Sequence, residues 1–170
     1  MSVTSVFVDA SAWVAFFNRR DAHQAEARET IELLLRTSAP LITSTWTTYE
    51  AITIVRSKLG YGRARRLWQM ANNRRIVTMI RVDPTIESAA LKLFWRYRDK
   101  EWGVVDCAGI VLMERIGCKT AFGYDRISSK PAVSAASRCC EVPVGRCSVP
   151  VPKGCGAKEK LARRFELLTC

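Results

Sequence analysis

Val6-Phe7-Val8-Asp9-Ala10-Ser11-Ala12-Trp13 is the stretch that decides the fold. Residues 2–8 are rich in β-branched side chains, which suit a pleated, half-buried backbone, and they end on a carboxylate, Asp9. Strand-like and helix-like patterns alternate from there on. Residues 21–36 read as a helix, with Asp21 and Gln24 as a capping box and Ala27, Ile31, Leu34 and Leu35 on one face. Leu41-Ile42-Thr43 is a short strand. Residues 45–59 form a helix stopped by Gly60, and residues 61–72 form the next helix. Residues 76–82 are a strand closed by Asp83-Pro84. Residues 86–98 form a helix with Ile86, Ala89, Ala90, Leu93, Phe94 and Tyr97 inward. Residues 106–116 form a mostly apolar helix ended by Gly117, and residues 120–124 are a strand that ends at Asp125. This order predicts an α/β fold with a small, mainly parallel sheet flanked by helices.

Composition sets the class. At 170 residues, 48% hydrophobic and 25% charged, the chain can bury a core, which excludes wholesale disorder, collagen and coiled coil. No apolar run reaches the roughly 18 residues of a membrane span, so no membrane partner is expected. The first apolar run has no Lys or Arg ahead of it and is interrupted by Asp9, unlike a secretory signal, so the expected location is cytoplasmic. Lys and Arg total 27 against 16 Asp and Glu, a formal net charge of +11. That excess favours an anionic partner, nucleic acid first, although charge also serves solubility.

The chain changes character near 127/128. Residues 128–170 hold five of the seven cysteines and four of the six prolines, and the strand–helix alternation stops. We therefore read residues 1–127 as the folded unit and residues 128–170 as an atypical, basic Cys/Pro tail, disordered or standing in for a final strand. Cys139, Cys140, Cys147 and Cys155 have no CxxC spacing and no nearby histidine, so a zinc site is not expected. Residues 158–168 could form a short amphipathic helix through Leu161, Phe165 and Leu168. The abrupt shift in composition is also what an out-of-frame reading of a GC-rich gene produces.

Four acids stand out by position. Asp9 and Asp125 end strands, Glu50 lies on the helix after the second strand, and Asp106 starts the apolar helix. In a parallel α/β sheet the carboxyl ends of the strands share one edge, and ligands bind there. Carboxylates gathered at such an edge repel one another unless a cation joins them. Mg²⁺ and Mn²⁺ take oxygen ligands and keep waters, and they activate water for attack on a phosphodiester. Each acid also has a plainer reading, as a turn residue, a helix cap or half of a surface ion pair. The single histidine, His23, sits in a polar stretch and reads as a surface residue.

With Asp9-Ala-Ser11, Glu50 after Thr43-Ser44, Trp102-Gly-Val-Val-Asp106-Cys107 and Ala121-Phe122-Gly-Tyr124-Asp125, residues 1–127 resemble a PIN domain, most closely the VapC-type toxin ribonucleases. The resemblance implies a three-layer α/β/α fold. It implies a Mg²⁺- or Mn²⁺-dependent endoribonuclease, the toxin of a type II toxin–antitoxin pair, acting on RNA, homodimeric and restrained by a cognate antitoxin. Asp9, Glu50, Asp106 and Asp125 match the family's metal-binding acids, and Ser11 matches a small hydroxyl position that orients a carboxylate or water. The sequence departs from the family where a hydroxyl often stands, at Gly103 and at Gly123.

Arg63, Arg65, Arg66, Arg74 and Arg75 cluster around Tyr61 and Trp68, and Arg96, Arg98 and Lys100 lie near Trp95, Tyr97 and Trp102. Such groups suit RNA phosphates and unpaired bases. They suit an antitoxin segment or a solvated face as well. The rival to the nuclease is a catalytically decayed PIN-like module that binds RNA or an antitoxin without cleaving. A phosphatase of haloacid-dehalogenase type fits poorly, because Asp9-Ala10-Ser11 lacks a second Asp two residues on.

Overall fold

Four short strands carry the fold: β1 (Val6–Val8), β2 (Leu41–Ser44), β3 (Val77–Ile80) and β4 (Thr120–Phe122). They pair in the order β3-β2-β1-β4, every pair parallel. The computed structural model describes residues 5–124. Strands β1 and β2 are buried along their whole length, as parallel strands covered on both faces must be. Register places Val6 opposite both Leu41 and Thr120, and Val8 opposite Phe122, so β1 and β4 end level.

Six helices join the strands: α1 (Ala10–Phe17), α2 (Gln24–Arg36), α3 (Thr45–Leu59), α4 (Tyr61–Ala71), α5 (Pro84–Arg96) and α6 (Val104–Ile116). Alternation along the strands splits the core in two. Val6, Val8, Leu41 and Val77 pack with Trp13, Ile31, Leu34, Val55 and Leu67 from α1, α2, α3 and α4. Phe7 and Ile42 point the other way, against Ile86, Ala90, Cys107, Ala108 and Leu112 from α5 and α6. The result is the three-layer α/β/α arrangement that the resemblance implies. Gly109 lets α6 settle on the sheet, since a Cβ there would lie 3.2 Å from the Phe7 ring. No helix among the described residues is long and apolar enough to cross a membrane.

Most predicted elements appear within two residues of their expected ends, with three differences. Helix α1 is new. Seven of its eight residues are buried, so it has no polar face from which a period could be read. Helix α2 begins at Gln24, because the Asp21 carboxylate accepts from the His23 amide at 3.0 Å and closes a turn instead of a capping box. Helix α6 begins at Val104, capped by Gly103, which moves Asp106 from the helix start to its third position. Residues 2–4, Asp125, the 128–170 tail with its late cysteines, and the expected 158–168 helix lie outside the described residues.

Candidate active site

The winding of the chain singles out one point on the sheet. It passes from β1 to β2 to β3 in one direction, then returns to lay β4 on the other side of β1. Between β1 and β4 the order reverses, and open α/β sheets bind ligands outside the carboxyl ends of the strands at such a switch point. Asp9 stands there. Its amide donates to the Phe122 carbonyl at 2.9 Å, continuing the β1–β4 ladder. Its carboxylate caps α1, where exposed amides and the helix dipole favour negative charge.

Ser11 ties this corner together. Its hydroxyl donates to Asp9 Oδ2 at 2.8 Å, and its amide donates to the same oxygen at 3.3 Å. The Ser11 hydroxyl in turn accepts from the Tyr124 amide at 2.9 Å. The departure at Gly123 now has a steric reason. A Cβ there would lie 3.0 Å from Asp9 Cβ, 3.1 Å from Ser11 Oγ and 3.3 Å from Asp9 Oδ2. The chain leaving β4 approaches Asp9 so closely that a side chain here would require the Asp9 corner to give by a few tenths of an ångström.

Asp106 reaches the same edge from α6. That helix must return the chain to the start of β4, so its amino end lies over the carboxyl ends of the strands. Asp106 Oδ2 accepts from the Gly103 amide at 2.6 Å, and a Cβ on Gly103 would lie 3.2 Å from that oxygen. Both glycines that depart from the family pattern therefore lie against carboxylates. The adjacent Cys107 is buried, and burial, followed by the Asp106 charge, pushes its thiol up to about 11. Cys107 is fully buried and packs in the core with Phe7, Ala108 and Leu112.

Glu50 lies exposed on α3. It shares an open cleft of about 390 Å³ with Trp46, Tyr49, Thr53, Ile54 and Val105, the neighbour of Asp106. The cleft joins α3 to the amino end of α6. Glu50 and Asp106 lie in the amino-terminal halves of α3 and α6, the halves that follow the sheet's carboxyl edge where Asp9 stands, and Asp125 is outside the described residues. Among the described residues, no three His, Cys, Asp or Glu side chains are grouped closely enough to enclose a metal ion.

Two features escaped the sequence reading. One is a buried hydroxyl cluster where β2 meets α3: the Ser44 hydroxyl accepts from the Thr47 amide at 3.0 Å, and Thr48 donates to the Ser44 carbonyl at 2.8 Å. Thr43 donates to the Val8 carbonyl at 3.1 Å, fixing the residue before Asp9. The run Thr43-Ser44-Thr45-Trp46-Thr47-Thr48 was the available signal. The other is His23, which is exposed as expected but stacks on Tyr124, with ring centroids 4.3 Å apart at 16°. Burial, then the Glu26 and Asp21 charges, push the Tyr124 hydroxyl up.

Arg65, Arg66, Arg74 and Arg75 are exposed and Arg63 is half-buried. The Arg56 guanidinium lies 5.3 Å from the Tyr61 ring, and Tyr49 stacks with Trp68 across α3 and α4. In the second group Arg96 and Arg98 are exposed, Trp95 is 69% exposed, and Trp102 is core.

The family model for the PIN domain matches residues 6–133. Among solved structures, the chain is similar to Mycobacterium tuberculosis VapC20, a Sarcin-Ricin loop cleaving toxin. The match has a TM-score of 0.65 and 25% identity, and covers 72% of this chain and 91% of that one. No curated protein matches.

Proposed function

Because the chain belongs to the PIN domain family, we propose that it is the toxin of a type II toxin–antitoxin pair, an endoribonuclease that hydrolyses RNA phosphodiesters with Mg²⁺ or Mn²⁺. The observation that carries this reading is the carboxylate of Asp9 held at the β1–β4 switch point, with Asp106 delivered to the same edge by α6. The likeness to VapC20 supports RNA as the substrate class and an antitoxin as the partner. Residues 1–127 are the catalytic unit in this reading, and residues 128–170 a separate tail.

The donor type suits the metal, carboxylate oxygens for a hard cation. Mg²⁺ is commonly held by one or two carboxylates together with waters and substrate phosphate, so a cage of three protein ligands is not required. Asp9 and Asp106 are the first ligands in this proposal, with Glu50 and Asp125 completing the set. When bound, such an ion supplies Lewis acidity at the phosphodiester and lowers the pKa of a water. The chain's own residues do the positioning. Ser11 holds Asp9 Oδ2, and the Gly103 amide holds Asp106 Oδ2, so neither carboxylate has to be ordered when substrate arrives. Arg63, Arg65, Arg66, Arg74 and Arg75 offer cations to the RNA backbone, and Tyr61 and Trp68 offer faces for unpaired bases. Exposed Tyr49, Trp68 and Trp95 provide apolar surface for an antitoxin segment and a second copy of the chain.

The test is cleavage of RNA by the full chain with Mg²⁺ or Mn²⁺, beside EDTA, Asp9→Asn and Asp106→Asn, with folding checked by circular dichroism. Cleavage that needs the metal and both acids is expected. A folded wild type that binds RNA and leaves it intact would favour the decayed binding module.

A further inference from the structure

The Asp9 corner has a weak link built into it. Gly123 lets the β4 exit approach Asp9 without a Cβ pressing on it, yet glycine is the residue least able to hold its own backbone in place. Strand pairing ends at Phe122 among the described residues, so no ladder bond holds residues 123 and 124. Tyr124 comes directly after Gly123, and it is gripped twice. Its amide donates to the Ser11 hydroxyl at 2.9 Å, the hydroxyl that itself donates to Asp9 Oδ2 at 2.8 Å. Its ring lies flat on His23, 4.3 Å between centroids, and edge-on to Phe122 at 5.6 Å. A long contact of 3.5 Å joins its hydroxyl to the His23 carbonyl. His23 stands at the start of α2, a different element from either the strand or the Asp9 turn, and Glu26 lies 3.8 Å from its Nδ1.

We propose that His23 and Tyr124 form a clasp which, through Ser11, fixes the Asp9 carboxylate in its working orientation, making His23 a positioning residue of the site. The chain of contacts runs from an exposed imidazole through a ring stack, an amide and a hydroxyl to the carboxylate oxygen. It replaces the rigidity that Gly123 gives up. The catalytic half of this inference rests on the nuclease reading above; the clasp itself does not.

The test uses the full chain as wild type, His23→Ala and His23→Phe. The first variant removes the ring, and the second keeps a flat face without the imidazole. His23 is about half exposed, so neither change opens the core. Two readouts need no activity: amide hydrogen exchange at Tyr124 and the ¹³C signal of the Asp9 carboxyl. In His23→Ala the exchange is expected to speed up and the carboxyl signal to shift, and His23→Phe is expected to restore both. In the cleavage assay, His23→Ala is expected to lose about tenfold in kcat with KM held within about twofold. That loss is below the roughly hundredfold that an ångström of misplacement costs. Unchanged exchange and an unchanged carboxyl signal in His23→Ala would overturn the clasp. Changed signals with undiminished kcat, or a His23→Phe variant as impaired as His23→Ala, would overturn the positioning role. A wild type silent toward every RNA would count against the nuclease reading, while the exchange and carboxyl data still decide the clasp.

Discussion

Two helices begin on the same pattern, Asp9-Ala10-Ser11 at α1 and Asp83-Pro84-Thr85 at α5. In both, the Asp is the N-cap and takes the amide and the hydroxyl of the residue two places on. Asp83 Oδ1 accepts from the Thr85 amide at 2.9 Å, the Thr85 hydroxyl at 2.6 Å and the Ile86 amide at 2.8 Å. Arg115, from the end of α6, closes the arrangement by donating to the Thr85 hydroxyl at 2.7 Å. That cap follows the outer strand β3 and lies exposed. Asp9 follows the inner strand β1 and is half-buried. It receives a hydroxyl and one longer amide bond, and its Ser11 is shared with Tyr124 across the switch point. The same three-residue chemistry therefore stabilises an exposed corner in one place and sets a carboxylate at the sheet's switch point in the other, where the proposed function puts its ligand. Position in the sheet, and not the local motif, separates the two roles.

The contrast is tested most severely by changing both acids alike. Asn caps a helix about as well as Asp, so Asp9→Asn and Asp83→Asn both keep their helices. RNA cleavage is expected to fall at least about a hundredfold in Asp9→Asn, the scale of losing a preorganised electrostatic group, and to stay within about twofold in Asp83→Asn. Equal losses would dissolve the distinction. The hydroxyls repeat the contrast at smaller size. Ser11→Ala is expected to slow cleavage by about tenfold, less than the loss of the acid it orients. Thr85→Ala is expected to leave cleavage unchanged while lowering the melting temperature.

The glycines carry the contrast into stability. Gly123→Ala places a Cβ against the Asp9 Cβ and Ser11, atoms that cannot move without shifting the corner. A loss of about 1–3 kcal/mol in urea unfolding is expected. Gly103→Ala meets the end of the Asp106 carboxylate, which can give way, and less than about 1 kcal/mol is expected.

Which of these features could be read without the structure depends on how local each one is. Strands show as β-branched runs, and Gly60 and Gly117 stop helices by local rules, so the order of elements was legible, and with it the elements that carry Asp9, Glu50 and Asp106. Helix α1 was not, because an all-apolar helix offers no period. The capping role of Asp21 lost to a tighter turn that only the backbone reveals. Tyr124 and His23 are 101 positions apart, and no pattern in either segment announces the other. The reason for Gly123 was hidden for the same cause, since it is a contact with Asp9 from a neighbouring strand far away in the chain.

The smallest effect concerns pH, and it isolates Asp83 as a purely structural cap. The Thr85 hydroxyl first, then the Ile86 amide, hold its carboxyl below the ordinary 3.8; desolvation opposes them, and the Thr85 amide and the Arg115 charge add smaller lowering effects. A carboxyl depressed in the folded state contributes stability above its unfolded pKa and loses it as pH falls through the folded value. Asn at this position caps without titrating. The melting temperature of wild type should therefore exceed that of Asp83→Asn at pH values above about 4, and the gap should close as the pH drops below that point. Because the site is exposed, salt should shrink the Arg115 share of the gap and leave the hydrogen-bonded share. A gap that persisted at low pH would mean that shape, and not charge, distinguishes the two caps at α5.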